Sequence, residues 1–171
     1  MNDRGGGQAS LSALTGRFAI PGRVRWIGVR PERRADLLSL DQVEIALDGL
    51  VGDRRNTPGK RAVSLLQWEH LPVIASLLGH ADLQPRLLRR NIVVSGINLL
   101  GLRKRTFRVG GVLLRGSGIC APCSRMEEAL GHGGYTAVRG HGGITAEVVT
   151  TGTVHLGDTV SAAEGSESVL A

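Results

Sequence analysis

The chain has 171 residues, 42% of them apolar and 21% charged, enough for one domain with a core of its own. Its net charge is +6, and Lys60 and Lys104 are the only lysines among 21 cationic residues, so arginine carries nearly all of the positive charge. No apolar run approaches membrane length, which excludes a helical membrane protein. Aromatic residues make up only 3%, which leaves little to stack on bases and, with no recognisable nucleic-acid motif, argues against nucleic acid as a partner.

Residues 1–18 are polar and Gly/Ser-rich and read as a flexible tail, without the continuous apolar stretch of a secretion signal. Two cysteines and no such signal point to the reducing cytoplasm. A first strand is expected over Arg23–Arg30, then a loop of mixed charge over Pro31–Asp41, and a second strand over Val43–Leu47 ending in the turn signal Asp48-Gly49. The segment Gly49–Arg61 carries Arg54, Arg55, Lys60 and Arg61 between glycines. Glycines let backbone N–H groups approach an anion and arginines clamp it, although on the residues alone a solvated loop is the simpler reading.

Ala62–Leu66 reads as a strand, Leu71–Leu78 as a helix with Pro72 in its first turn and Gly79 as its stop, and Pro85–Arg89 as a helical turn. Asn91–Val94 is a strand. Thr106–Val109 and Val112–Arg115 flank Gly110-Gly111 as a hairpin. Towards the C-terminus, glycine-rich loops at His132–Gly134 and Arg139–Gly143 enclose one short strand. Further strands are expected over Ile144–Val149, Val154–Leu156 and Thr159-Val160, and residues 162–171 read as a second tail. With no repeat and no linker, residues 19–161 form one domain. Short strands, glycine turns and few helices define a mainly β fold, a closed or partly open β-barrel of mostly antiparallel strands with a few peripheral helices.

Both cysteines lie in Ser117–Glu127. Ser124–Leu130 reads as a short helix closed by Gly131, which puts Cys123 or Ser124 near its N-cap. A sulfur there faces the positive end of the helix, a setting for nucleophilic or soft-metal-binding thiolate. Three readings of Cys120-Ala-Pro-Cys123 compete. A thioredoxin-type dithiol belongs early in a βαβ unit, which is not where this one lies. A zinc site lacks ligands, since His132 and His141 are not spaced as in a finger. The third, one functional cysteine with a neighbour that is incidental or a resolving thiol, is favoured. Two small buried hydrophobes are the plain alternative.

Taken in order, these pieces resemble the MOSC domain, the module found at the C-terminus of molybdenum cofactor sulfurases and in stand-alone bacterial proteins. The matching residues are Gly52-Asp53-Arg54-Arg55, Arg61 before a strand, Arg89-Arg90-Asn91-Ile92, Gly96-Ile97-Asn98-Leu99, Pro122-Cys123, Arg139-Gly140-His141-Gly142-Gly143-Ile144 and Gly157-Asp158. Arg55 stands where the family usually has histidine, and Cys120 is extra to its single-cysteine pattern. The resemblance implies a β-barrel that binds a molybdenum–pterin cofactor. Cys123 would serve as metal ligand and catalytic residue, or carry sulfur as a persulfide. Asp53, Arg54, Arg55, Arg61, Arg90, Asn91, Arg139 and Gly140 would line the cofactor site, with the arginines around the pterin phosphate. It further implies a reductase of small N-hydroxylated or N-oxide compounds served by a separate electron donor, or else a non-catalytic cofactor or sulfur carrier working with a sulfur-transfer protein. Pyridoxal phosphate belongs to a desulfurase domain with no counterpart in this sequence and is not expected.

Overall fold

The structure is a computed structural model and describes residues 9–163; the outer parts of both expected tails lie outside that range. Within the stretch read as the first tail, Leu11–Thr15 forms a helix (α1). The Ser10 hydroxyl accepts from the Ala13 N–H at its start, and Arg105 donates to the Ser12 carbonyl and the Thr15 hydroxyl.

The strands follow as β1 (Gly22–Val29), β2 (Leu38–Leu40), β3 (Gln42–Ala46), β4 (Gly49–Leu50) and β5 (Val63–Gln67). After helix α2 (His70–Leu77) come β6 (Ile92–Ser95), β7 (Thr106–Val109) and β8 (Val112–Ile119). Helices α3 (Ser124–Leu130) and α4 (Gly134–Val138) precede β9 (Ile144–Thr150), β10 (Gly152–His155) and β11 (Thr159–Ala162). Seven strands in the order β11-β7-β8-β9-β5-β6-β1 close on themselves through the β1–β11 pairing, with β2 added on the flank of β1. Among the described residues only β5 and β6 pair in parallel, and the crossover between them carries α2 and a 3-10 turn at Pro85–Leu88. A separate small sheet, β10-β3-β4, completes the fold. The fold class is the mainly β barrel with few helices that the sequence implies.

Strand burial follows from this closure. On β7 and β8, Phe107, Val109, Val112 and Leu114 point inwards and alternate with Arg108 and Arg115 outside. Strands β5 and β6 instead read Leu65-Leu66 and Ile92-Val93-Val94 without a polar break, because both of their faces are covered. Leu65, Ile92 and Val94 fill the barrel, while Leu66 and Val93 pack with Ile74, Leu88, Met126 and Val138 beneath the helices.

Besides α1, three local expectations change. Gly49-Leu50 is not loop but the second arm of a hairpin on β3, pairing with Ala46 and Ile45, and Leu38–Leu40 pairs with β1 inside the stretch read as a loop. The short strand expected between the glycine loops is helix α4. Its start is fixed by Glu127 of α3, whose carboxylate accepts the N–H groups of Gly133 (2.8 Å) and Tyr135 (2.9 Å). Gly134 lies so close to the Met126 carbonyl that a side chain there would collide with it. Packing against α3 thus overrides the strand preference of Tyr135, Thr136 and Val138.

Candidate functional site

Six segments meet at one end of the barrel: the exit of β1, the loop after β4, the entries of β5, β6 and β9, and the exit of β8 into α3. They enclose an open cavity of about 320 Å³, at the lower end of the range for small-molecule sites. Its frame is a chain of polar side chains. The Asp53 carboxylate accepts the backbone N–H of Arg30 (3.0 Å), the side-chain amide of Asn91 (3.0 Å) and the N–H of Arg55 (2.8 Å). The Asn91 carbonyl oxygen in turn accepts the N–H (3.2 Å) and hydroxyl (2.8 Å) of Ser64, and its amide also donates to the Gly28 carbonyl. One network therefore locks β1, β5, β6 and the arginine-bearing loop together.

Of the residues expected at the site, Asp53, Arg54, Arg55, Arg61, Arg90, Asn91 and Cys123 line this cavity. Their parts differ. Asp53 and Asn91 spend their polar atoms on the frame. Arg90 is only 6% exposed and directs its guanidinium at backbone carbonyls: Gly142 (2.8 Å), Leu88 (2.9 Å), Cys120 (3.2 Å) and, at longer range, Ala121 (3.4 Å). It is a staple between the cysteine loop and the Gly142 turn, not the phosphate clamp expected of it. Arg55 Nε donates to the Arg61 carbonyl (2.7 Å) and closes its own loop.

Arg139 and Gly140 are not among the lining residues. Helix α4 ends at Val138, and Arg139 leaves it in an extended conformation with its side chain exposed. What the segment brings to the site is backbone: the Gly142 carbonyl holds Arg90 and the Gly143 carbonyl accepts the Cys120 N–H (2.9 Å). Gly143, at φ +85°, lies against the Leu65 carbonyl where no side chain fits.

Sequence reasoning passed over Arg30, Arg33, Arg34, Arg89 and Arg125 as ligand-facing residues, yet all five line the cavity. Arg30 carries the clearest sign of a missing partner, because its Nε is buried without a hydrogen bond. Burial first, then the charges of Arg89, Arg54 and Arg125, weaken its hold on its proton, and Asp53 offsets them only in part. Among the described residues, no salt bridge links Arg30, Arg33, Arg34, Arg54, Arg61 or Arg89 to a carboxylate; Arg125 pairs with Glu128 at 3.0 Å. Such a cavity is complementary to a polyanion.

Cys123 stands at the N-cap position of α3 without a side-chain capping bond and is exposed at the same cavity, while Cys120, 5% exposed, lies in the wall; neither is in a disulfide. No cluster of three or more His, Cys, Asp or Glu side chains suited to a metal occurs among the described residues. Cys123 could therefore offer a metal one sulfur ligand, the rest coming from whatever carries the metal. An accessible soft donor beside unpaired guanidinium groups and an orphaned buried N–H fits an anionic organic ligand bearing a soft metal.

Fold and cavity define a small β-barrel protein with a cationic, thiol-bearing pocket at one barrel end. The MOSC domain profile matches residues 46–161, and the chain belongs to the MOSC domain family. Its fold is similar to that of the YuaD protein from Bacillus subtilis, with a TM-score of 0.73 at 19% identity over 82% of this chain and 94% of that one. It is also similar to YiiM from Escherichia coli (TM-score 0.65, 17% identity, 83% of this chain and 70% of that one). YiiM from Geobacillus stearothermophilus gives a TM-score of 0.68 at 17% identity over 84% and 76% of the two chains. No curated protein matches by sequence.

Proposed function

We propose that the protein holds a molybdenum–pterin cofactor in this cavity and reduces small N-hydroxylated or N-oxide compounds, with electrons from a separate donor protein. The observation that carries the reading is the pairing of an exposed thiol, Cys123, with a wall of arginines that lack carboxylate partners. Cys123 would ligate the metal, and Arg30, Arg54 and Arg61 would neutralise the terminal phosphate, Arg30 Nε gaining the partner it lacks. When bound, the cofactor supplies the two-electron chemistry. The chain's own part is to orient and hold. Asp53 and Asn91 keep the arginine loop on the barrel, and Arg90 fixes the Cys120–Cys123 turn so that the thiol faces the cavity. Membership of the family supports the cofactor class. The free cysteines fit the cytoplasm as the compartment, and no helix among the described residues is long and apolar enough to cross a membrane.

The second reading, a carrier of cofactor or persulfide sulfur without turnover, is favoured by Cys120 lying in the same cavity wall as Cys123, where it could act as a resolving thiol. Turnover separates the two. Protein from a cofactor-competent host, given a hydroxylamine and an artificial electron donor, forms amine at a rate abolished in Cys123→Ser if it is a reductase. Cofactor-loaded protein that forms no amine contradicts the reductase reading and leaves the carrier.

A further inference from the structure

The arginines outnumber what one terminal phosphate requires. Setting aside Arg90, Arg125 and the loop-closing Arg55, six cavity arginines remain without a carboxylate partner among the described residues, and both oxygens of Asp53 are already engaged. A phosphate monoester brings about two negative charges. Arg33, Arg34, Arg54 and Arg61 are exposed, so water screens part of their repulsion, but six guanidinium groups around one open cavity leave positive charge that a second anion would offset.

Two of them are singled out by their backbone. Arg34 (φ +69°) and Arg89 (φ +59°) are the only non-glycine residues among the described ones in the left-handed region. Each sits in an ordinary turn, Arg34 just before Ala35, whose N–H donates to the Glu32 carbonyl, and Arg89 at the close of the 3-10 turn, its own N–H donating to the Arg86 carbonyl, yet both keep a long side chain where glycine or asparagine is favoured. Both side chains line the main cavity. Arg89 and Leu37 also wall a separate, smaller cavity of about 70 Å³ beside Asp36 and Arg86. Arg34 belongs to the segment after β1 and Arg89 to the turn before β6, and these segments are neighbours, since Ala35 and Leu37 of the one and Arg86 and Arg89 of the other wall the smaller cavity together.

We infer that the cavity accommodates two separate anionic groups, and that Arg34 and Arg89 form an oxyanion subsite selecting substrates that carry a carboxylate or phosphate. The inference rests on the reductase reading, in which the cofactor's phosphate takes Arg30, Arg54 and Arg61. The substrate's N-hydroxyl end points towards Cys123 and its charged end towards Arg34 and Arg89. Neutral substrates enter but lack this anchor, so the preference falls mainly on KM.

The test uses the cofactor-loaded full chain and three probes: para-(hydroxyamino)benzoate, para-(hydroxyamino)phenyl phosphate and the neutral para-(hydroxyamino)benzamide. Arg34→Asn and Arg89→Asn are the variants, because asparagine tolerates the left-handed backbone and the fold is spared. The wild type is expected to prefer at least one charged probe over the amide by about tenfold or more in kcat/KM, chiefly through KM. In each variant that ratio should fall towards unity while bound molybdenum is retained. The two charged arms show which oxyanion the subsite takes. Equal kcat/KM for all three probes, a preference unchanged in both variants, or loss of the cofactor together with the preference would each overturn the inference. If no probe is reduced, the reductase reading fails, and calorimetric titration of the same probes still decides the subsite. Tighter binding of a charged probe that disappears in Arg34→Asn upholds it, and equal binding of charged and neutral probes overturns it.

Discussion

Replacing Arg90 by methionine separates the two roles an arginine can have beside an anion site. The side chain is buried and donates to the carbonyls of Gly142, Leu88 and Cys120 at 2.8, 2.9 and 3.2 Å. A hydrogen bond from a charged donor contributes about 1.5–3 kcal/mol, so these three sum to roughly 4.5–9 kcal/mol. Methionine recovers apolar burial and removes the cost of desolvating a guanidinium, which offsets several kcal/mol. The net expectation is a loss of about 3–5 kcal/mol, or a thermal midpoint lowered by roughly 6–20 °C for a chain of this size. Denaturant titration of the full chain reads it directly, and Arg90→Lys should restore only part, because an ammonium cannot span three carbonyls on different segments. A cation that faces only the cavity would behave in the opposite way. Removing it would relieve repulsion from its neighbours, leaving stability unchanged or raised. That result for Arg90→Met would refute the staple.

Other predictions test the frame and its surroundings. Asn91→Asp is nearly isosteric but sets a carboxylate against Asp53, 3.0 Å from the present amide. It should destabilise by about 2–4 kcal/mol near neutral pH, and less in mild acid as one carboxyl takes a proton. The buried Nδ1 of His70 has no partner, and burial, then the charge of His141 in edge contact at 5.1 Å, holds the His70 pKa below its ordinary 6.5. The unfolded chain therefore binds more protons as pH falls below that value, so stability is full above it and declines beneath it. The drop in urea midpoint between about pH 7.5 and about pH 5.5 should be smaller in His70→Gln, and an equal drop would contradict the assignment. Glu69 contributes only at lower pH. Burial raises its carboxyl, but hydrogen bonds from Gln67 and the Gly96 N–H outweigh that and hold it below 4.5. In Glu127→Ala, hydrogen exchange should quicken at the amides of Gly133 and Tyr135, which lose their acceptor.

The barrel was legible because its signals are local. The Gly110-Gly111 turn, with Gly110 at φ +56°, sits where the sequence places it, and inward and outward residues alternate along the hairpin. Helix α4 was hidden because its cause is Glu127 on another element, while its own residues favour strand. At the site, residue type identified guanidinium groups but not their direction. Arg90 and Arg54 read alike in sequence, yet the first is consumed by carbonyls and the second is open to the cavity. Arg30 looked like the last residue of a strand, and only the convergence of β1 with the Asp53 loop reveals its unpaired Nε. Arg139 shares a glycine-rich motif with Gly142 and Gly143, but the motif acts at the site through the carbonyls of those two glycines.

The most direct test of the central claim is the molybdenum content of the full chain purified from a cofactor-competent host, measured for wild type, Cys123→Ser and Cys120→Ser. Near-stoichiometric metal in the wild type, largely kept in Cys120→Ser and lost in Cys123→Ser with folding intact, is the predicted result. A wild type without molybdenum, or a Cys123→Ser protein that retains it in full, would contradict the account.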